Sequence, residues 1–338
     1  MVRVERADRQ LPASFRSAAY WAHERVVRRP QLPVTAERLI PAPQRSGWGP
    51  DADGVQELTA RLRADVLVMA KFDIQAAVKL RAAYTHDGLT LAIQPPAATG
   101  LNGIQRAVQA HSIVERHAPG LMPALVSHGE LSRGLPYLVE RWLDGRSLTS
   151  AAQLDEAAPA ILAGLSAVHA GYGVRRIPLS AHHQSSRVAR WAEVLQTGMI
   201  PSELGSWVSH LLERNHGLRW SWSHGDMVAS NVLRTPTGIA LVDWEHSGEG
   251  PIMRDAAKLH LYAGDPERTL GLVLSTFHDS ASKSSYTPAE ELALSHVEML
   301  LRYPVRSRKL AGHARSAIYE RQVARQVERL AQVRDAAV

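Results

Sequence analysis

The stretch HGDMVASN at residues 224–231 sets a carboxylate, Asp226, five positions before a carboxamide, Asn231. A second carboxylate, Asp243, lies twelve residues beyond Asn231 in the stretch VDWEH. Between them NVLRT and IALVDW are short runs joined by PTG, so a β-hairpin is expected, with Asn231 and Asp243 facing each other across it. Amide and carboxylate oxygens are hard ligands of the kind Mg2+ takes while it keeps some waters and shares itself with substrate phosphates. Asp226 is then left to accept a hydrogen bond from a substrate hydroxyl and orient it toward a phosphoryl group.

Such a constellation needs elements to hold it. Residues 61–143 read as a strand-rich lobe: DVLVMAKFD, QAAVKLRAAYT and LTLAIQPP are short and apolar, and HDG between the last two is a hairpin signal. GIQRAVQAHSIVERHAPG reads as one helix closed by Pro and Gly, and PALVSHGE and PYLVERWLDG as two further strands. The expectation is a five-stranded antiparallel sheet with one helix inserted after the third strand. Residues 144–338 read as a mainly helical lobe interrupted by the hairpin. Thr287 N-caps one of its helices, with Pro288 in the first turn and Glu290 closing a capping box. The last helix puts Tyr319, Val323, Val327 and Leu330 on one face and arginines on the other, the pattern of a solvated amphipathic helix. Residues 1–60 read as an extension and linker. In it SFRSAAYWAHERVVRR has helical spacing, prolines and glycines follow, and GVQELTARLRA reads as a second helix. The class is α+β in two lobes.

Composition excludes several alternatives. The 338 residues contain no cysteine, which removes disulfides and thiolate zinc sites. The histidines have no metal-ligand partners at recognisable spacing. No apolar run reaches the length of a membrane span and the N-terminus has no apolar signal core, so no membrane partner and a cytoplasmic location are expected. The net charge of +6 is spread along the chain beside acidic residues, so no nucleic-acid partner is expected either.

HGDMVASN followed by VDWE resembles the aminoglycoside phosphotransferase and choline kinase group, which has the protein-kinase-like fold. In that group the catalytic loop reads His-Gly-Asp, four residues, then Asn, and a D-(W/F)-E-like triplet carries the second metal ligand. GPIMRDAAKL resembles the segment after the triplet, LAGLSAVHA the helix before the loop, and PALVSHGELSRGLPYLVERWLDGRSL the last two strands and hinge of the first lobe. The resemblance covers residues 61–275. It implies ATP and Mg2+ as cofactors, Asp226 as the base or hydroxyl-orienting group, and Asn231 and Asp243 as metal ligands. It further implies that His224 supports the loop, that Asp255 caps a helix and braces the loop, and that backbone groups around Glu140–Trp142 hold the adenine edge.

The first lobe departs from the group. A lysine on the third strand should reach the α- and β-phosphates and pair with a glutamate on the next helix. Its position here is Gln94, and the helix position is Gln109, with Glu115 as the other candidate. The glycine-rich loop is replaced by AKFDIQAAV. Lys79 or Lys71 could stand in for the lysine, although strand alternation turns Lys79 away if Val78 faces the nucleotide. Two functions follow. The first is an ATP-dependent phosphotransferase acting on a hydroxyl of a small molecule such as a sugar, an amino alcohol or an aminoglycoside-like compound. The second is a pseudokinase-like nucleotide-binding or scaffold module.

Overall fold

In the computed structural model, which describes residues 23–28, 66–72, 77–84, 87–94, 97, 99–131, 135–182, 184–278, 285–312 and 316–337, the chain forms two compact units. One comprises Met1–Thr149 and Ala229–Ser247, the other Ser150–Val228 and Gly248–Val338. The helix expected at GVQELTARLRA and the turn expected in place of a glycine-rich loop, at residues 73–76, lie outside the described residues.

The first unit is built on an antiparallel sheet. Strands β1 (His23–Arg28), β2 (Val66–Phe72), β3 (Ala77–Tyr84), β4 (Leu89–Ile93), β5 (Leu125–Leu131) and β6 (Leu135–Arg141) pair in the order β1-β2-β3-β4-β6-β5. Five of these match the expected strands. The sixth is a correction: residues 23–28, inside the segment with helical spacing, are a strand running antiparallel to β2, with Val26 opposite Val68 and Val27 opposite Leu67. Two β-branched residues meeting an open edge gain ladder hydrogen bonds there, and this outweighs a weak helical period.

Helix α1 (Gly103–His117) follows β4. Asn102 caps it in a capping box with Gln105, and Ile104, Ala107, Ala110, His111 and Val114 form its buried stripe. A small sheet completes the unit. Its strands β7 (Arg146–Ser147), β10 (Val232–Thr235) and β11 (Gly238–Leu241) pair in the order β11-β10-β7.

The second unit is mainly helical. Helix α2 (Ala151–Tyr172) is capped by Ser150, and β8 (Arg175–Pro178) follows it. Then come α3 (Gln184–Gln196), α4 (Ser202–Glu213) and β9 (Gly217–Ser223). After the hairpin come β12 (Gly248–Pro251), α5 (Met253–Tyr262), α6 (Pro266–Thr276), α7 (Pro288–Leu300), α8 (Tyr303–Leu310) and α9 (Ser316–Ala337). The capping box at Thr287 and Glu290 is present, and Tyr319, Val323, Val327 and Leu330 form the buried face of α9. Strand β9 is the centre of the sheet β12-β9-β8 and leads directly into the HGD loop. Its Arg219 is fixed to the fully buried Glu291 of α7: Arg219 Nε donates to Oε2 at 2.7 Å and the Arg219 backbone N–H to Oε1 at 2.8 Å. A buried pair of this kind leaves little freedom in where the strand ends. Among the described residues no helix is long and apolar enough to cross a membrane.

Candidate active site

The second unit holds Asp226 on a braced loop. β9 ends at Ser223, and Gly225 turns the chain at φ 83°, a conformation that favours glycine. Asp255, in the first turn of α5, is 1% exposed and accepts two backbone N–H groups of the loop. His224 N–H donates to Oδ2 at 2.7 Å and Gly225 N–H to Oδ1 at 2.8 Å. His224 is fully buried, and its Nδ1 accepts the N–H of Asp226 at 3.1 Å. The His224 ring is thus hydrogen-bonded within the loop itself. One turn after Asp255, Lys258 donates to Asp226 Oδ1 at 2.6 Å and to the Gly225 carbonyl at 2.9 Å. Both side chains remain partly exposed, so the carboxylate is oriented without being sealed. Lys258 was not singled out in the sequence, although RDAAKL sets it three residues after Asp255 and so on the same face of α5.

The first unit holds Asn231 and Asp243 on the hairpin. Val232 pairs with Leu241, and the Val242 N–H donates to the Asn231 carbonyl at 2.9 Å, so the two residues flank the same end of β10 and β11. Asn231 is fully buried. Asp243 adopts left-handed backbone angles, φ 70° and ψ 51°, the one non-glycine residue to do so among the described residues. This conformation costs about 1–2 kcal/mol, and such strain gathers at functional positions. A buried carboxamide and a carboxylate with 6% of its side chain exposed are hard oxygen donors of the kind Mg2+ takes.

The chain also places a cation on Asp243. Arg81, on β3, forms an ion pair with Asp243 Oδ1 and lies 3.8 Å from Glu245 Oε2. Arg81 was missed in the sequence, since a lone arginine in a strand is usually a solvated one. In the strand register Lys79 pairs with Ala70, and Lys71 lies opposite His23 and Val78.

Gln94 is held at the start of α1. Its Oε1 accepts the Gly103 N–H at 3.1 Å and its carbonyl accepts Asn102 Nδ2 at 3.2 Å, so it ties β4 to the start of α1. Gln109 and Glu115, the helix positions named as its partner, are both exposed. A side chain at Gly103 would meet Gln94 Oε1 and Glu245 Cβ, each at 2.8 Å, so the start of α1 rests directly on the DWE turn. At the expected adenine edge the Arg141 N–H donates to the Ala124 carbonyl at 2.9 Å and the Trp142 N–H to the Gly88 carbonyl at 2.7 Å. The Glu140 side chain meets His111 Nε2 at 2.9 Å. The N–H groups of Arg141 and Trp142 are thus engaged within the sheet.

A sequence model described as the phosphotransferase enzyme family matches residues 78–292, which span β3, the HGD loop, the DWE turn and the start of α7. The chain belongs to this family. Its phosphotransferase relatives of known structure are distant. Choline kinase LicA from Streptococcus pneumoniae is 15% identical, with 79% of this chain and 89% of that chain aligned at a TM-score of 0.46. A choline/ethanolamine kinase family protein from Mesorhizobium loti is 18% identical over 79% and 87% of the two chains, with a TM-score of 0.47. A thermostable mutant of aminoglycoside phosphotransferase APH(4)-Ia is 15% identical over 80% and 94%, with a TM-score of 0.48. No curated protein sequence matched the chain. As a phosphotransferase, this chain carries Asp226, Asn231 and Asp243 within the matched residues.

Proposed function

We propose that this phosphotransferase moves the γ-phosphate of ATP to a hydroxyl group of a small molecule. The observation that carries the reading is the setting of Asp226: its carboxylate is held by Lys258 on a loop whose backbone is pinned by Asp255. Asp226 accepts the hydrogen bond of the acceptor hydroxyl, directs its lone pair at the phosphorus, and takes up its proton as the bond forms. Lys258 keeps the carboxylate turned to that task. Asn231 and Asp243 hold Mg2+, which when bound neutralises phosphate charge. His224 and Asp255 are positioning residues that fix where Asp226 points.

The acceptor is small and not strongly cationic. Of the acidic residues after the triplet, Glu249 is bonded to Tyr172 and Arg175, each at 2.5 Å. Asp255 braces the loop, and Asp265 caps α6. These three carboxylates already have partners, Glu267 is exposed in the first turn of α6, and a sugar or amino alcohol suits this set at least as well as a polycation.

A second reading, a nucleotide-binding module without catalysis, is favoured by one contact: Arg81 already neutralises Asp243. Thermal-shift titration with ATP, with and without Mg2+, followed by an ADP-release screen over hydroxylated metabolites, separates the two. The phosphotransferase reading expects ATP to stabilise the protein, an acceptor to raise ADP release, and Asp226→Asn to lower that release by at least about a hundredfold with ATP binding kept. Binding without turnover on any acceptor supports the second reading. Unchanged turnover in Asp226→Asn removes Asp226 as the base.

A further inference from the structure

Gln94 carries no charge and is bound to the start of α1, which leaves open what balances the phosphate charge in the first unit. Arg81 has the required position. It lies on β3 directly opposite Ala92, two residues before Gln94 on β4. Directly opposed residues share a sheet face, so its side chain starts on the face of residue 94, one strand away. The strand spacing of about 4.8 Å is within reach of an arginine side chain.

It also has the required chemistry. Its side chain is 9% exposed, so its charge is held in a low-dielectric setting. One terminal nitrogen is on Asp243, while the Arg81 Nε–H is buried and has no hydrogen-bond partner. A buried donor without an acceptor is costly, and a guanidinium presents its several N–H groups as a planar fork matched to phosphate oxygens. The orphaned donor and the neighbouring Asp243 together describe a place for a phosphate chain beside the hairpin residues.

We propose that Arg81 is the phosphate-binding cation of this protein, donating from its Nε–H and remaining guanidinium edge to a nucleoside di- or triphosphate. It replaces from the adjacent strand the charge absent at position 94. The inference rests on the nucleotide-dependent reading above.

The test is direct binding of ADP and adenosine to the full chain by calorimetry, in EDTA and again in Mg2+. Arg81→Gln is expected to weaken ADP binding about tenfold or more in EDTA, to leave adenosine binding within about twofold, and to be rescued only in part by Arg81→Lys, which returns the charge without the fork. If Arg81→Gln leaves a lone buried carboxylate and does not fold, Arg81→Met/Asp243→Asn removes both charges and is compared with Asp243→Asn alone, with the same loss of ADP affinity in EDTA expected. Equal ADP affinity in these comparisons overturns the proposal. So does a loss seen only with Mg2+, which would make Arg81 a support for Asp243 alone. Absence of ADP and ATP binding by the wild-type chain would instead defeat the nucleotide-dependent reading itself.

Discussion

Replacing Asp255 with asparagine tests how the loop holds Asp226. The carboxylate takes two N–H groups, from His224 at 2.7 Å and Gly225 at 2.8 Å, at a position 1% exposed. Asparagine keeps the shape but has one oxygen. One of the two N–H groups then faces an amide NH2, donor against donor, in a site too buried for water to compensate. Losing one charge-assisted bond costs about 1.5–3 kcal/mol, and making the other neutral adds a smaller penalty, for a total of about 2–4 kcal/mol. For a unit of this size that lowers the melting temperature by roughly 5–12 °C. Trp220 and Trp222, on β9 just before the loop, give a fluorescence signal close to the change. The same variant should lose phosphoryl transfer more than nucleotide affinity, because the loop it loosens carries Asp226. An Asp255→Asn protein that melts within about 1 °C of the wild type would refute the claim that these two bonds set the loop.

Two further predictions follow from neighbouring groups. Lys258→Met removes a cation from Asp226, but both side chains are partly exposed, so stability should change by less than about 1 kcal/mol while kcat falls roughly tenfold with nucleotide Kd within about twofold. Lys258→Arg should recover part of kcat, and an unchanged kcat in the methionine variant would remove Lys258 from the site. Burial lowers His169 and His260 to about 4 and pushes His296 well below its ordinary value. The folded protein therefore binds these protons less readily than the unfolded chain, whose histidines titrate near 6.5. Stability is full above that value and is lost as pH falls toward 4, on the order of 3 kcal/mol for each of His169 and His260. A urea midpoint that stays constant from pH 7 to 4.5 would contradict this.

The sequence by itself determined most of the scaffold and the positions of the polar residues. The alternation of β3 and β4, the stripe and closure of α1, the PTG hairpin and the Thr287 capping box are all local signals, written within a few residues of where they act. The spacing of Asp226, Asn231 and Asp243 is local for the same reason, because one loop and one hairpin carry all three. The strand at residues 23–28 was not legible, since its ladder partner is some forty residues away and its own period is ambiguous. Only the tertiary structure decided what surrounds the polar residues. Arg81 meets Asp243 across 162 positions of chain, and Lys258 meets Asp226 across 32, contacts that no period or spacing announces. Gln94 was read as the lysine position from its place on the third strand, and only the packed structure shows its amide oxygen accepting the Gly103 N–H, where the start of α1 approaches too closely for anything but glycine. Motif spacing carries the identity of a residue along the chain. Which neighbour neutralises or orients it depends on pleat parity and helix placement, and those are fixed only when distant segments pack.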